Sequence, residues 1–306
     1  MTPSPVEQHG HRWAVTDFGL VDDRPMMRQR CACGAQRTIP AWDRTWQPRA
    51  SWRLAAVDPG SPLAGRLLER SDAPVADPAA RITVDVWSDI ACPWCYIGKR
   101  NLETATDAFQ ADATAPAVEI ELHSFELSPD TPVDFEGSET DYLAQHKGIS
   151  REQAAAMHAR VQQFGADAGI GYRFDLVKHT NTVKAHRLLH LAKAQGRQLP
   201  MAERLMAAYF SEGRHLGRDD ELAALAVDVG LDRDASLGSL RDDEYLDAVR
   251  ADEAMAGLIG IRGVPFFLID DRYALQGAQP PDVFAAALRL VSNRQPVVSD
   301  TATSHP

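Results

Sequence analysis

The residues in this chain best suited to chemistry are Cys92 and Cys95, in the run Cys92-Pro93-Trp94-Cys95. They stand between a strand-like run and a helix-like one. A cysteine at the first turn of a helix meets unsatisfied backbone N–H groups and the positive end of the dipole, and both favour thiolate over thiol. The i, i+3 spacing puts the second sulfur on the same face, in reach of a mixed disulfide formed by the first. Pro93 suits the first helical turn, where its missing N–H costs little. The expected chemistry is thiol–disulfide exchange, with Cys92 attacking and Cys95 shielded and resolving. Two other readings compete: half of a zinc site completed by Cys31 and Cys33 or by histidines, and a pair of inert core cysteines. Zinc knuckles usually sit in Gly-rich turns, and inert packing does not explain the strand-to-helix placement.

A second feature is Gly263-Val264-Pro265, which opens the strand-like run Val264–Ile269. Proline is out of place in a central strand. A cis Val264–Pro265 bond that turns the backbone toward the cysteine pair accounts for it, and Val264 would then offer its main chain to an extended peptide. The alternative is a proline that merely starts an edge strand.

The elements that must carry these residues are visible in the pattern. Ile82–Val86 alternates with β-branched residues, Pro93–Phe109 suits a helix, and Val118–Phe125 alternates again. From Tyr142 to Val249 the pattern is helical, with Ala-rich runs each closed by a glycine (Gly165, Gly196, Gly230), as a helix C-cap would be. Strand character returns at Val264–Ile269 and near Tyr273–Leu275, and a last helix covers Pro281–Val291. The order βαβ, helical block, ββα is that of an α/β thioredoxin-type sheet with a helical insertion.

Composition bounds the class. Of 306 residues, 44% are apolar and 25% charged, which suits a substantial core and excludes wholesale disorder. No apolar run approaches the ~18–20 residues of a membrane span. MTPSPVEQHGHRW lacks the charged and apolar regions of a signal peptide, and four cysteines are too few for a secreted disulfide scaffold. A soluble, cytoplasmic protein is expected. Residues 1–56 hold eight Arg, no Lys and five acids, so this piece is basic within a chain of net charge −11. The acidic remainder argues against nucleic acid as a partner. Four pieces are expected: a small basic segment (1–56) rich in Trp, a Pro-rich linker (57–80), an α/β domain (81–293) and a disordered tail (294–306).

Together, DIACPWCYIGKRNLE, SFELSP, NTVKAHRLLHLA, AAYFSEG, GVPFFLI and GAQP resemble the FrnE-type branch of the DsbA-like thiol–disulfide oxidoreductases, over about residues 81–291. The resemblance implies a thioredoxin fold with an all-helical insertion at about 140–255, a redox-active Cys92/Cys95 pair and a cis-Pro265 facing it. It also implies that Asn181, Thr182 and His186 line the groove, beside Trp94, Val264 and Phe125. Read alone, Asn181 is a helix N-cap and His186 a helix-face residue. Where the family has Pro before Phe125, this chain has Ser124. Trp94 stands where the periplasmic DsbA has His. DsbA and thioredoxin differ by about 150 mV, or ~7 kcal/mol. A helix end supplies at most about 2 kcal/mol, so a potential nearer glutaredoxin or thioredoxin is expected.

In the β-rich or zinc-ribbon-like N-terminal segment, Cys31 and Cys33 with His9 or His11 form a candidate zinc site. A strained Cys31–Cys33 disulfide relaying electrons, or simple packing, are the alternatives. The dithiol chemistry needs no cofactor; its partners are protein or low-molecular-weight thiols and disulfides and a thiol electron donor. Two other functions compete: a kappa-type glutathione-dependent isomerase or transferase, for which Cys95 would be pointless, and a non-catalytic binding module with a zinc-type N-terminal segment.

Overall fold

The computed structural model describes residues 13–21, 24–31 and 36–40 as backbone strands, and residues 52–70 and 81–293 in full. The strands are β1 (Trp13–Val21), β2 (Arg24–Cys31), β3 (Gln36–Pro40), β4 (Trp52–Leu54), β5 (Leu68–Arg70), β6 (Arg81–Ser88), β7 (Ala117–Ser124), β8 (Phe266–Ile269) and β9 (Tyr273–Gln276). The helices are α1 (Pro93–Gln110), α2 (Glu139–Lys147), α3 (Arg151–Asp167), α4 (Val183–Ala194), α5 (Gln198–Phe210), α6 (Asp219–Asp228), α7 (Arg233–Arg241), α8 (Leu246–Ile259) and α9 (Pro281–Ser292). Among the described residues, no helix is long and apolar enough to cross a membrane.

β1, β2 and β3 form an antiparallel sheet, so the N-terminal segment is β-rich. The expectations placed on His9, His11, Cys31 and Cys33, and on residues 71–80 and 294–306, fall outside the described side chains; of these residues only the backbone of Cys31, in β2, is described.

The second sheet runs β4-β5-β9-β8-β6-β7, with β6 and β7 parallel and the other neighbours antiparallel. Its centre is apolar on both faces, which is why β8 reads as an unbroken apolar run rather than an alternating one. Phe267 and Ile269 join the core shared with α1 and α9, whereas Phe266 and Leu268 join a cluster with Trp87 and with Met255, Ala256 and Ile259 of α8. At β7, which ends the sheet, a side chain stands in for the missing strand. Gln198 Oε1 accepts from the Leu122 N–H at 3.0 Å, and its Nε2 donates to the Leu122 carbonyl at 2.8 Å.

Two expectations need correction. Within the expected linker, residues 57–70 are part of the fold: β5 pairs with β9 through Leu68 and Ala274, β4 pairs with β5, and Leu63 and Leu67 are buried in the core. The prolines masked an apolar set that covers what would otherwise be an exposed edge at β9. The glycine that closes α3 is Gly169 (φ +71°), not Gly165, whereas Gly196 (φ +67°) and Gly230 (φ +84°) do follow α4 and α6 in left-handed conformations. Gly165 lies inside α3, where the Tyr172 ring occupies the space a Cβ would need.

Candidate active site

β6 delivers the chain to the edge of the core at Ser88, and a short turn returns it into α1. The Asp89 carbonyl accepts from the Cys92 N–H at 3.2 Å. Cys92 is the N-cap of α1, with extended backbone, and its carbonyl accepts from Cys95 N–H (3.0 Å) and Tyr96 N–H (3.3 Å). Both cysteines are thiols, 4% and 1% exposed respectively. Burial pushes the Cys95 pKa well up, and the neighbouring Cys92 pushes it further. Both effects favour the thiol form of Cys95.

The Val264–Pro265 peptide is cis. The Val264 carbonyl lies 3.9 Å from Cys92 Sγ, which donates to it. Close approach of this loop to α1 depends on Gly98: a Cβ there would lie 3.1 Å from the Pro265 ring and 3.0 Å from Phe267. Both residues between the cysteines are held by the helical block. The Tyr172 hydroxyl donates to the Pro93 carbonyl at 2.6 Å, and the Trp94 ring packs on Phe164 at 5.4 Å between centroids.

Asp89 ties the turn together from beneath. Its carboxylate accepts from Ala91 N–H (3.2 Å) and Leu127 N–H (2.8 Å), and lies 3.3 Å from His186 Nε2. Burial opposes the charge on both residues, but the hydrogen bond and mutual attraction outweigh it: the Asp89 pKa is lowered and the His186 pKa raised.

The sequence-derived site residues therefore separate into three groups. Cys92, Trp94 and Thr182 line one cavity of about 270 Å³, walled by α2, α3 and the segment after β7. Val264 and Pro265 approach Cys92 from the β8 side. The rest lie behind or apart. His186 is 1% exposed and bound to Asp89, so it does not line the groove. Asn181 is not the N-cap of α4, which is Thr182; it precedes it, its Oδ1 accepting from Val183 N–H while its Nδ2 donates to Glu126 and to the Pro129 carbonyl. Phe125 packs on the Trp87–Met255 cluster between the sheet and α8, so its ring is committed to that core rather than to the cavity. Reading the sequence missed Asp89, Gly98, Phe164 and Tyr172. Asp89 carried a signal, an acid between an apolar strand and the cysteine pair; Tyr172, distant in sequence, carried none.

On the α8 side of the sheet, Asp85, Glu121 and His123 lie close enough to suggest a metal. The ring of His123 instead bridges Asp85 (3.0 Å) and Asp252 (3.1 Å). Burial opposes its charge, but these carboxylates outweigh it and raise its pKa to about 10. Both nitrogens then donate to carboxylates, so a metal at this cluster would have to displace a proton and break an ion pair.

A DSBA-like thioredoxin domain model matches residues 83–289. The uncharacterized protein YwbO of Bacillus subtilis is 29% identical over 209 residues, spanning 68% of this chain and 96% of that one. The crystal structure of a probable DsbA oxidoreductase from Streptomyces coelicolor is 39% identical, covers 70% of this chain and 91% of its own, and superposes with a TM-score of 0.65. A 2-hydroxychromene-2-carboxylate isomerase, 15% identical, shares the fold alone, with a TM-score of 0.54 over 68% of this chain and 95% of its own. The chain belongs to the DSBA-like thioredoxin domain family.

Proposed function

We propose that this protein is a cytoplasmic thiol–disulfide oxidoreductase of the FrnE-type branch, working on protein or low-molecular-weight disulfides without a cofactor. The observation that carries this reading is the asymmetry of the pair: Cys92 caps α1 beside the Val264 carbonyl, while Cys95 sits one turn in, buried and held as a thiol. Cys92 thiolate attacks one substrate sulfur, the substrate S–S bond breaks, and the first half leaves as thiolate with the bond's electron pair. Cys95 then attacks Cys92 Sγ, releasing the second half, and the Cys95 proton passes to it. Pro265 and Val264 align the incoming chain, and Trp94 shields the sulfurs.

The direction of electron flow follows the thiol donor available in the compartment. Charge on the chain, net −11, disfavours nucleic acid as a partner. A glutathione-dependent isomerase would have no use for Cys95. Trapping tests the proposal: Cys95→Ala should accumulate mixed disulfides through Cys92, identifiable by mass spectrometry, and Cys92→Ala should accumulate none. Full biological activity in a Cys92→Ser, Cys95→Ser chain would instead make the protein a binding module.

A further inference from the structure

The wall that α3 gives to the cavity beside Cys92 carries a reactive sulfur of its own. Met157 of α3 lines this cavity together with Cys92. Met157 and Phe164 are seven residues apart, two turns of α3, and so share one face of the helix. Phe164 packs on Trp94, between the two cysteines, so this face of α3 looks toward the pair. Around Met157 the lining is largely apolar, with Leu127, Leu143, Val161 and Phe174 sharing it. The Met157 side chain is nonetheless open to solvent, at 41% exposure. The other methionines whose side chains are described, Met201, Met206 and Met255, are sealed in the core at 1% or less. An exposed thioether in an apolar wall is a flexible contact for varied apolar side chains. Peroxides convert an accessible thioether to its sulfoxide, which is polar and chiral. A sulfoxide oxygen in this wall must give up water when a substrate closes over it, and it then costs what any unpaired buried acceptor costs.

Resting on the oxidoreductase reading of Cys92 and Cys95, we propose that Met157 is an oxidative modification site that governs access of protein substrates to Cys92. Peroxide converts Met157 to methionine sulfoxide, and the modified wall no longer receives the apolar side chains that flank a substrate disulfide. The Met157 sulfur attacks one peroxide oxygen with a lone pair and the O–O bond breaks. That oxygen stays on sulfur, and the other leaves as water. Sulfur is oxidised by two electrons and peroxide is reduced by two. Thiol reductants reopen a Cys92–Cys95 disulfide, whereas the sulfoxide is restored by methionine sulfoxide reductases. The mark on Met157 therefore outlasts the redox state of the dithiol.

The test uses the full chain with Cys92 and Cys95 first joined as a disulfide, which protects both sulfurs from peroxide. The chain is treated with hydrogen peroxide, then catalase, then dithiothreitol, and desalted. Oxidation of its dithiol is followed with insulin and with hydroxyethyl disulfide, a small reagent that has no apolar side chain to dock. Each rate is divided by that of the same chain before peroxide. Peptide mapping should find one added oxygen on Met157 and none on Met201, Met206 or Met255. The insulin rate should fall about fivefold or more, and the hydroxyethyl disulfide rate should stay within about twofold. Methionine sulfoxide reductases acting on both epimers should restore the insulin rate. Met157→Leu, which keeps the wall apolar, should lose less than about twofold of its own untreated insulin rate. Three results overturn the site: Met157 left unoxidised, an insulin rate unmoved by its oxidation, or an equal loss in Met157→Leu. The untreated chain separates the two readings. One that reduces insulin but meets any of these three results keeps the oxidoreductase and loses the modification site, and one that exchanges with neither disulfide loses both.

Discussion

The Tyr172 hydroxyl donates a 2.6 Å hydrogen bond to the carbonyl of Pro93, so a residue of the helical block grips the peptide between the two cysteines. The ring is buried, and burial followed by the nearby Cys92 raises its pKa, so the hydroxyl keeps the proton it donates. Tyr172→Phe keeps the ring and loses this bond. The variant should lose about 1 kcal/mol of stability by urea denaturation and should reduce insulin several-fold more slowly while remaining folded. Unchanged kinetics would show that the grip serves stability alone.

Gly165 and Tyr172 are coupled by direct contact. A methyl group at Gly165 collides with the Tyr172 ring, so Gly165→Ala should cost about 1–3 kcal/mol as overpacking. Removing the ring as well, in Gly165→Ala with Tyr172→Ala, should cost clearly less than the sum of the two single changes. Additive losses in that cycle would remove the proposed contact.

Trp94 supplies no charge beside Cys92, and the imidazolium of His186 is offset by Asp89. The dithiol should therefore equilibrate with glutathione at about −270 to −200 mV, the thioredoxin-to-glutaredoxin range, rather than near DsbA's ~−120 mV. A DsbA-like value would mean that another group stabilises the Cys92 thiolate.

His123 gives stability an alkaline limit. Its pKa is about 10 in the fold against 6.5 as a free imidazole, so its ionic bridge is fully present below about pH 6.5 and is lost as pH rises toward 10. Asp252, whose pKa is lowered, acts oppositely: its contribution is present above its ordinary pKa of 3.8 and is lost as the solution becomes more acidic. The thermal midpoint should fall between pH 6.5 and 10 by the equivalent of a few kcal/mol, and His123→Gln should flatten that fall.

Local order was legible in the sequence. β6, α1, β7 and α9 follow from alternation and helical periodicity, and the cysteine pair from its place between them. Long-range relationships were not. Tyr172 and Pro93 are 79 residues apart, His186 and Asp89 97 apart, and periodicity does not say which helix face meets which loop. The resemblance places His186 in the groove, and only the fold shows it lying behind Asp89. Local composition misled where tertiary packing overruled it. Prolines near Leu63 and Leu67 read as a linker, yet both leucines enter the core.

The pairing of β5 with β9 has a practical consequence for where the thioredoxin-type domain can be cut. The family match starts at Thr83, but the folded unit extends upstream at least to Trp52, whose indole N–H reaches the Ile259 carbonyl at the end of α8. A fragment cut to the matched residues would lose two leucine plugs and uncover a raw rim of backbone donors and acceptors, a template for strands of other molecules. Such a fragment should clump where the longer chain stays dispersed.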